Sequence, residues 1–103
     1  MRHGFHSEAW DELLAAVAWH DAREAGSGRE FARAISRKLD QLDRFPQSAP
    51  LYVGAPKKFD VRKMSVSGWS YSLVVATVGS ERLVIAVAHD KRKPGYWRDR
   101  LRK

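Results

Sequence analysis

The chain has 103 residues, 19 Lys+Arg against 12 Asp+Glu, a formal net charge of +7 and no cysteine. That length suits one small domain and excludes separate cofactor and substrate lobes, while the missing cysteines exclude disulfide-stapled folds and Cys-based zinc modules. With 44% apolar and 30% charged residues the composition is that of a globular protein with its own core.

The first apolar pattern follows Ser7, whose hydroxyl is a fitting helix N-cap, and Glu8, Asp11 and Glu12 load the first turns with the charge that complements a helix dipole. Trp10, Leu13, Leu14, Val17 and Ala18 recur at three-four spacing, so a helix is expected from about Ser7 to Glu24, broken by Gly26-Ser27-Gly28. A strand around His3 to Phe5 is expected at a sheet edge. Ser27 and Glu30 have capping-box spacing, and Phe31, Ala34, Ile35, Leu39, Leu42 and Phe45 form the apolar side of a second helix that Pro46 stops. Two such helices joined by a short loop predict an antiparallel hairpin that must bury its apolar side on a sheet.

The second half supplies that sheet. After a connector from Pro46 to Pro56, Phe59 and Val61 alternate with charged residues in a short strand. Trp69, Tyr71, Leu73, Val75 and Thr77 alternate with Ser70, Ser72, Val74, Ala76 and Val78, the period of a half-buried strand. Gly79-Ser80 signals a hairpin turn, after which Leu83, Ile85, Val87 and His89 point one way and Val84, Ala86 and Ala88 the other. The expected fold is α+β: an N-terminal antiparallel helical hairpin on one face of a small, mainly antiparallel sheet of three to four strands, ending in a basic C-terminal tail. All of this forms a single domain over residues 1–103.

Charge divides the chain unevenly. Residues 1–56 carry 7 basic and 8 acidic side chains, whereas residues 57–103 carry 12 and 4. Such polarity points the second half toward an anionic partner, either nucleic acid or an acidic protein. In the tail, Arg92, Arg98, Arg100 and Lys103 interleave with Pro94-Gly95-Tyr96-Trp97, and Lys91 and Lys93 add charge. Guanidinium forks bind phosphate and aromatic rings stack on unpaired bases. Lys57, Lys58, Arg62 and Lys63 extend the same surface if the strands they flank lie beside the last one. His89, at a strand end near Arg92, is the one histidine placed to serve as a general base or phosphate ligand. His3, His6 and His20 have no companion at metal-ligand spacing, and neither a metal nor a cofactor is expected. No GxSxG, phosphate-cradling glycine loop or dinucleotide fingerprint occurs. No stretch reads as a signal peptide or bilayer span, so a cytoplasmic protein without membrane contact is expected.

The stretch LVIAVAHDKRKPGYWRDRL, with its H-x-x-R-x-P-x-Y-W-x-x-R order, together with AWDELLAAVAWHDAREAGSGREFARAISRKLDQLDRFPQSAP, resembles the RelE/ParE superfamily of bacterial toxins over roughly residues 5–101. The resemblance implies the toxin of a type II toxin–antitoxin system, held inactive by a small acidic antitoxin. RelE-like members cleave messenger RNA on the ribosome, and ParE-like members poison DNA gyrase. The long hairpin and the P-G-Y-W tail look more like the ParE, or plasmid-stabilisation, side. In a RelE-like nuclease, His89, Arg92 and Tyr96 would match the later part of the catalytic set. The arginine that such nucleases carry on the central strand is replaced here by Ser72, so the set lacks a phosphate clamp. The leading expectation is a gyrase-binding toxin. The alternatives are a ribosome-dependent endoribonuclease and a degenerate, non-toxic binding module.

Overall fold

The computed structural model describes residues 4–101; His3 and Lys103 lie outside them. A two-residue strand β1 (Gly4–Phe5) leads into helix α1 (Ser7–Arg23) and helix α2 (Ser27–Arg44). Strands β2 (Arg62–Val66), β3 (Tyr71–Val78) and β4 (Glu81–His89) follow, and a 3-10 turn over Arg98–Leu101 ends the described chain. The sheet order is β1-β4-β3-β2, antiparallel except for β1, which pairs parallel to β4. The fold is α+β, with the helical hairpin on one sheet face. The edge strand expected around His3 to Phe5 is present over Gly4–Phe5 of the described residues, and Gly79 turns the β3–β4 hairpin at φ 64°.

Both helix starts differ in chemistry from their sequence signals. His6, not Ser7, caps α1: its imidazole Nδ1 accepts the Glu8 amide at 3.1 Å. Gly26, in the left-handed region at φ 87°, caps α2 without a side-chain hydrogen bond, so Ser27 and Glu30 form no capping box. The orphan amide of Gly28 is satisfied across the hairpin instead, by Asp21 Oδ1 of α1 at 2.7 Å. A partner on the preceding helix has displaced the local cap. It also requires close approach, since a Cβ on Gly28 would collide with the Val17 carbonyl and lie 2.8 Å from Asp21 Cγ.

The stripe α1 buries is Ala9, Leu13 and Ala16 rather than one containing Trp10 and Leu14, which remain about half exposed. Small alanines let the helix approach β4 closely, and the Trp10 ring packs edge-on against Phe5 at 5.3 Å. Phe31, Ile35, Leu39 and Leu42 of α2 complete the helix side of the core with Met64, Val66, Leu73, Val75, Val84 and Val87 of the sheet. Phe45 falls outside it and is exposed, because α2 ends at Arg44 before Pro46 redirects the chain.

The sheet is not half-buried. Its second face carries another apolar cluster, in which Val61, Trp97 and Leu101 pack on Val74, Ala76, Ile85 and Ala86. Tail and connector therefore do for this face what the helices do for the other. The expected strand at Phe59–Val61 is a 3-10 turn (Lys57–Phe59) followed by Asp60 at φ 47°, and pairing begins only at Arg62. The regular alternation expected of the last strand also fails. Val74 pairs with Ala86 and Val75 with Val84, leaving Ile85 as a bulge that turns Ile85 and Ala86 to the tail side and Val84 and Val87 to the helix side.

Candidate functional site

His89, Arg92, Lys93 and Tyr96, singled out in the sequence, converge at the open ends of β3 and β4. A small cleft of about 70 Å³ there is lined by Lys63, Ser72, His89, Arg92, Lys93 and Tyr96, with Trp97 at its side, whereas Lys91, Arg98 and Arg100 lie outside it. His89 is engaged locally: its Nδ1 accepts the Lys91 amide at 3.1 Å, and its ring meets Tyr71 edge-on at 5.0 Å. Arg92 stacks its guanidinium over the Tyr96 ring at 3.8 Å. Ser72, where the RelE-like pattern has arginine, is buried and donates its hydroxyl to Asp90 at 3.1 Å.

Glu12 organises the tail from the opposite side of the chain. Its carboxylate accepts the Tyr96 hydroxyl at 2.7 Å, the Arg100 guanidinium at 2.8 and 3.0 Å, and the Val87 amide at 2.9 Å. Arg100 also donates to the Ile85 carbonyl at 2.9 Å. β1 covers only Leu83 and Val84 of β4, so this side-chain pair satisfies the strand edge beyond them. Burial alone would raise the Glu12 carboxyl; the bonds from Arg100, Tyr96 and Val87 outweigh it and hold it below its ordinary value. Burial, then the hydrogen bond to Glu12 and its charge, push the Tyr96 phenol well up, against the opposing pull of Arg100 and Arg92. Tyr96 is thus a fixed hydrogen-bond donor, poorly suited to giving up its proton.

The candidate contact residues divide into two sets. Lys57, Lys58, Lys63, Lys91, Arg92, Lys93 and Arg98 are exposed. Trp97 is not on a contact surface: it is 2% exposed and packs edge-on against Tyr52 at 4.9 Å. Arg62 faces its own chain, bonded to Asp60 and to the Ala49 carbonyl at 2.7 Å, and it thereby ties the connector to β2. Arg100 has a side chain only 9% exposed and is committed to Glu12. These three serve the fold because each has a buried intramolecular partner.

A second, larger feature escaped the sequence. A groove of about 710 Å³ opens between α1 and the ends of β3 and β4, walled by Trp19, His20, Trp69 and Tyr71 with Lys91 and Arg92 at its rim. His20 holds the wall together, its ring edge-on to Trp19 and to Trp69 at 5.0 Å each and 5.1 Å from Phe31. The one available signal was Trp19, a large aromatic off the apolar side of an amphipathic helix. Among the described residues no group of three His, Cys, Asp or Glu side chains is arranged to hold a metal, and no helix is long and apolar enough to cross a membrane.

No protein-family model, curated protein or solved structure matches the chain. The functional reading rests on its own residues.

Proposed function

We propose that this chain is the toxin of a type II toxin–antitoxin pair, of the ParE-like kind that acts by binding, with DNA gyrase as its target and a small acidic antitoxin as its neutralising partner in the cytoplasm. The observation that carries the binding mode is the Tyr96–Glu12 hydrogen bond of 2.7 Å. RNA cleavage needs groups that exchange protons and a cation on the phosphorane. Here the tail phenol is locked as a donor, His89 Nδ1 is occupied by a backbone amide, and the strand position of the phosphate clamp is a buried serine. A helical hairpin over an antiparallel sheet is the arrangement that the RelE/ParE resemblance implies. Exposed Lys57, Lys58, Lys63, Lys91, Lys93 and Arg98 supply the positive field that would steer an acidic partner.

One observation favours the endoribonuclease reading: His89, Arg92 and Tyr96 do share a cleft. Mapping transcript ends after induction separates the two. The binding toxin leaves transcripts intact while growth stops; new codon-aligned cuts would establish the nuclease, and unaffected growth would mark a non-toxic binding module.

A further inference from the structure

The groove beside α1 has a composition that neither the tail nor an antitoxin contact requires. Its walls are mostly rings, Trp19 exposed and His20, Trp69 and Tyr71 half-buried, rather than branched aliphatic side chains. Trp19 is 54% exposed, with the Arg23 guanidinium over its ring at 4.6 Å, and Trp69 stands beyond His20. Only Ala15, Ala16 and Val87 contribute aliphatic surface. The single carboxylate in the lining, Glu12, is neutralised by Arg100. Neither Lys91 nor Arg92 at the rim forms an ion pair among the described residues.

Flat aromatic walls select flat ligands, because ring faces stack on π-systems of any base sequence. Cations beside them that have no carboxylate partner, Arg92 resting on the Tyr96 ring, select an anion attached to that ligand. An amphipathic peptide helix would instead call for a trough of branched aliphatic residues, which is missing here. At about 710 Å³ the groove lies within the size range of small-ligand sites.

We infer that this groove binds a nucleotide unit, its base stacked against Trp19 and Trp69 and its phosphate held by Lys91 and Arg92. The unit comes either as a free nucleotide or as part of a single strand. The groove adjoins the tail cleft and shares His89 and Arg92 with it, but its ring walls lie outside that cleft. The inference does not depend on gyrase being the target: a failed gyrase assay leaves it standing.

The test is titration of the full chain with 5′-mononucleotides and with short single-stranded oligonucleotides, followed by tryptophan fluorescence and repeated over a salt series. Quenching by both is expected. Equal affinity per nucleotide identifies the free nucleotide as ligand, and tighter oligonucleotide binding identifies the strand. Trp19→Ala, at an exposed position, should weaken binding about tenfold. Lys91→Ala combined with Arg92→Ala should lower the slope of log affinity against log salt by about 0.7, the value for one neutralised phosphate of a single strand. Absence of quenching overturns the inference. So does oligonucleotide binding unchanged by Trp19→Ala and by Trp69→Leu, which would be phosphate attraction to the basic surface alone. Quenching by an acidic peptide but by no nucleotide would also overturn it and make the groove a protein-docking surface.

Discussion

Glu12 and Arg100 stand 88 positions apart in the chain and meet through two hydrogen bonds of 2.8 and 3.0 Å. Their side chains are only 16% and 9% exposed, so the pair lies largely out of water. It joins the first helix to the last turn and completes the open edge of β4. The tail is thereby part of the folded domain and not an appended basic segment.

Removing one partner of a largely buried pair costs about 3–5 kcal/mol, and Glu8, 3.6 Å from Arg100 but itself 64% exposed, compensates little of the charge left behind. Glu12→Gln should lower stability by about that amount and release the tail. Urea unfolding measures the first, and faster amide exchange over Tyr96–Leu101 measures the second.

The acid limb of stability follows from the same carboxylate. Because Glu12 is held below its ordinary value of 4.5 in the fold, it stabilises the protein above that pH. That contribution is lost as pH falls through the lower folded value. Thermal unfolding should show a shallower acid decline in Glu12→Gln than in the natural chain. An identical decline would place the acid-sensitive group elsewhere.

Tyr96 makes the complementary prediction at high pH. With its phenol pushed up, it should remain protonated while an ordinary tyrosine, near 10, ionises. Tyr96→Phe should leave the absorbance titration of the folded protein unchanged across that ordinary range. Loss of a tyrosine transition there would show that Tyr96 ionises freely.

Trp97 separates packing from recognition. Emptying a buried aromatic site costs about 3–5 kcal/mol, so Trp97→Ala should destabilise strongly. Lys93→Ala, one turn earlier and exposed, should change stability by no more than about 0.5 kcal/mol. The two denaturation midpoints check this directly.

Local signals carried most of the architecture. Three-four spacing located both helices, Pro46 ended the second, and Gly79-Ser80 placed the β-hairpin. What escaped depends on residues distant in the chain. Ser27 has the sequence of a cap, yet Asp21 on the preceding helix supplies the bond to Gly28. The bulge at Ile85 answers to pairing with β3, so a strict period of two assigned part of β4 to the wrong face. Glu12 reads as an ordinary first-turn acid because its partners Val87, Tyr96 and Arg100 lie 75, 84 and 88 positions away. Trp97 sits among basic residues and reads as a contact, until a second sheet face needs covering.

A gyrase supercoiling assay with purified protein tests the proposed function most directly. Supercoiling should be inhibited by the chain alone and restored when a small acidic protein, co-expressed from the neighbouring reading frame, is bound to it. Undiminished supercoiling at saturating protein would contradict a gyrase-binding toxin.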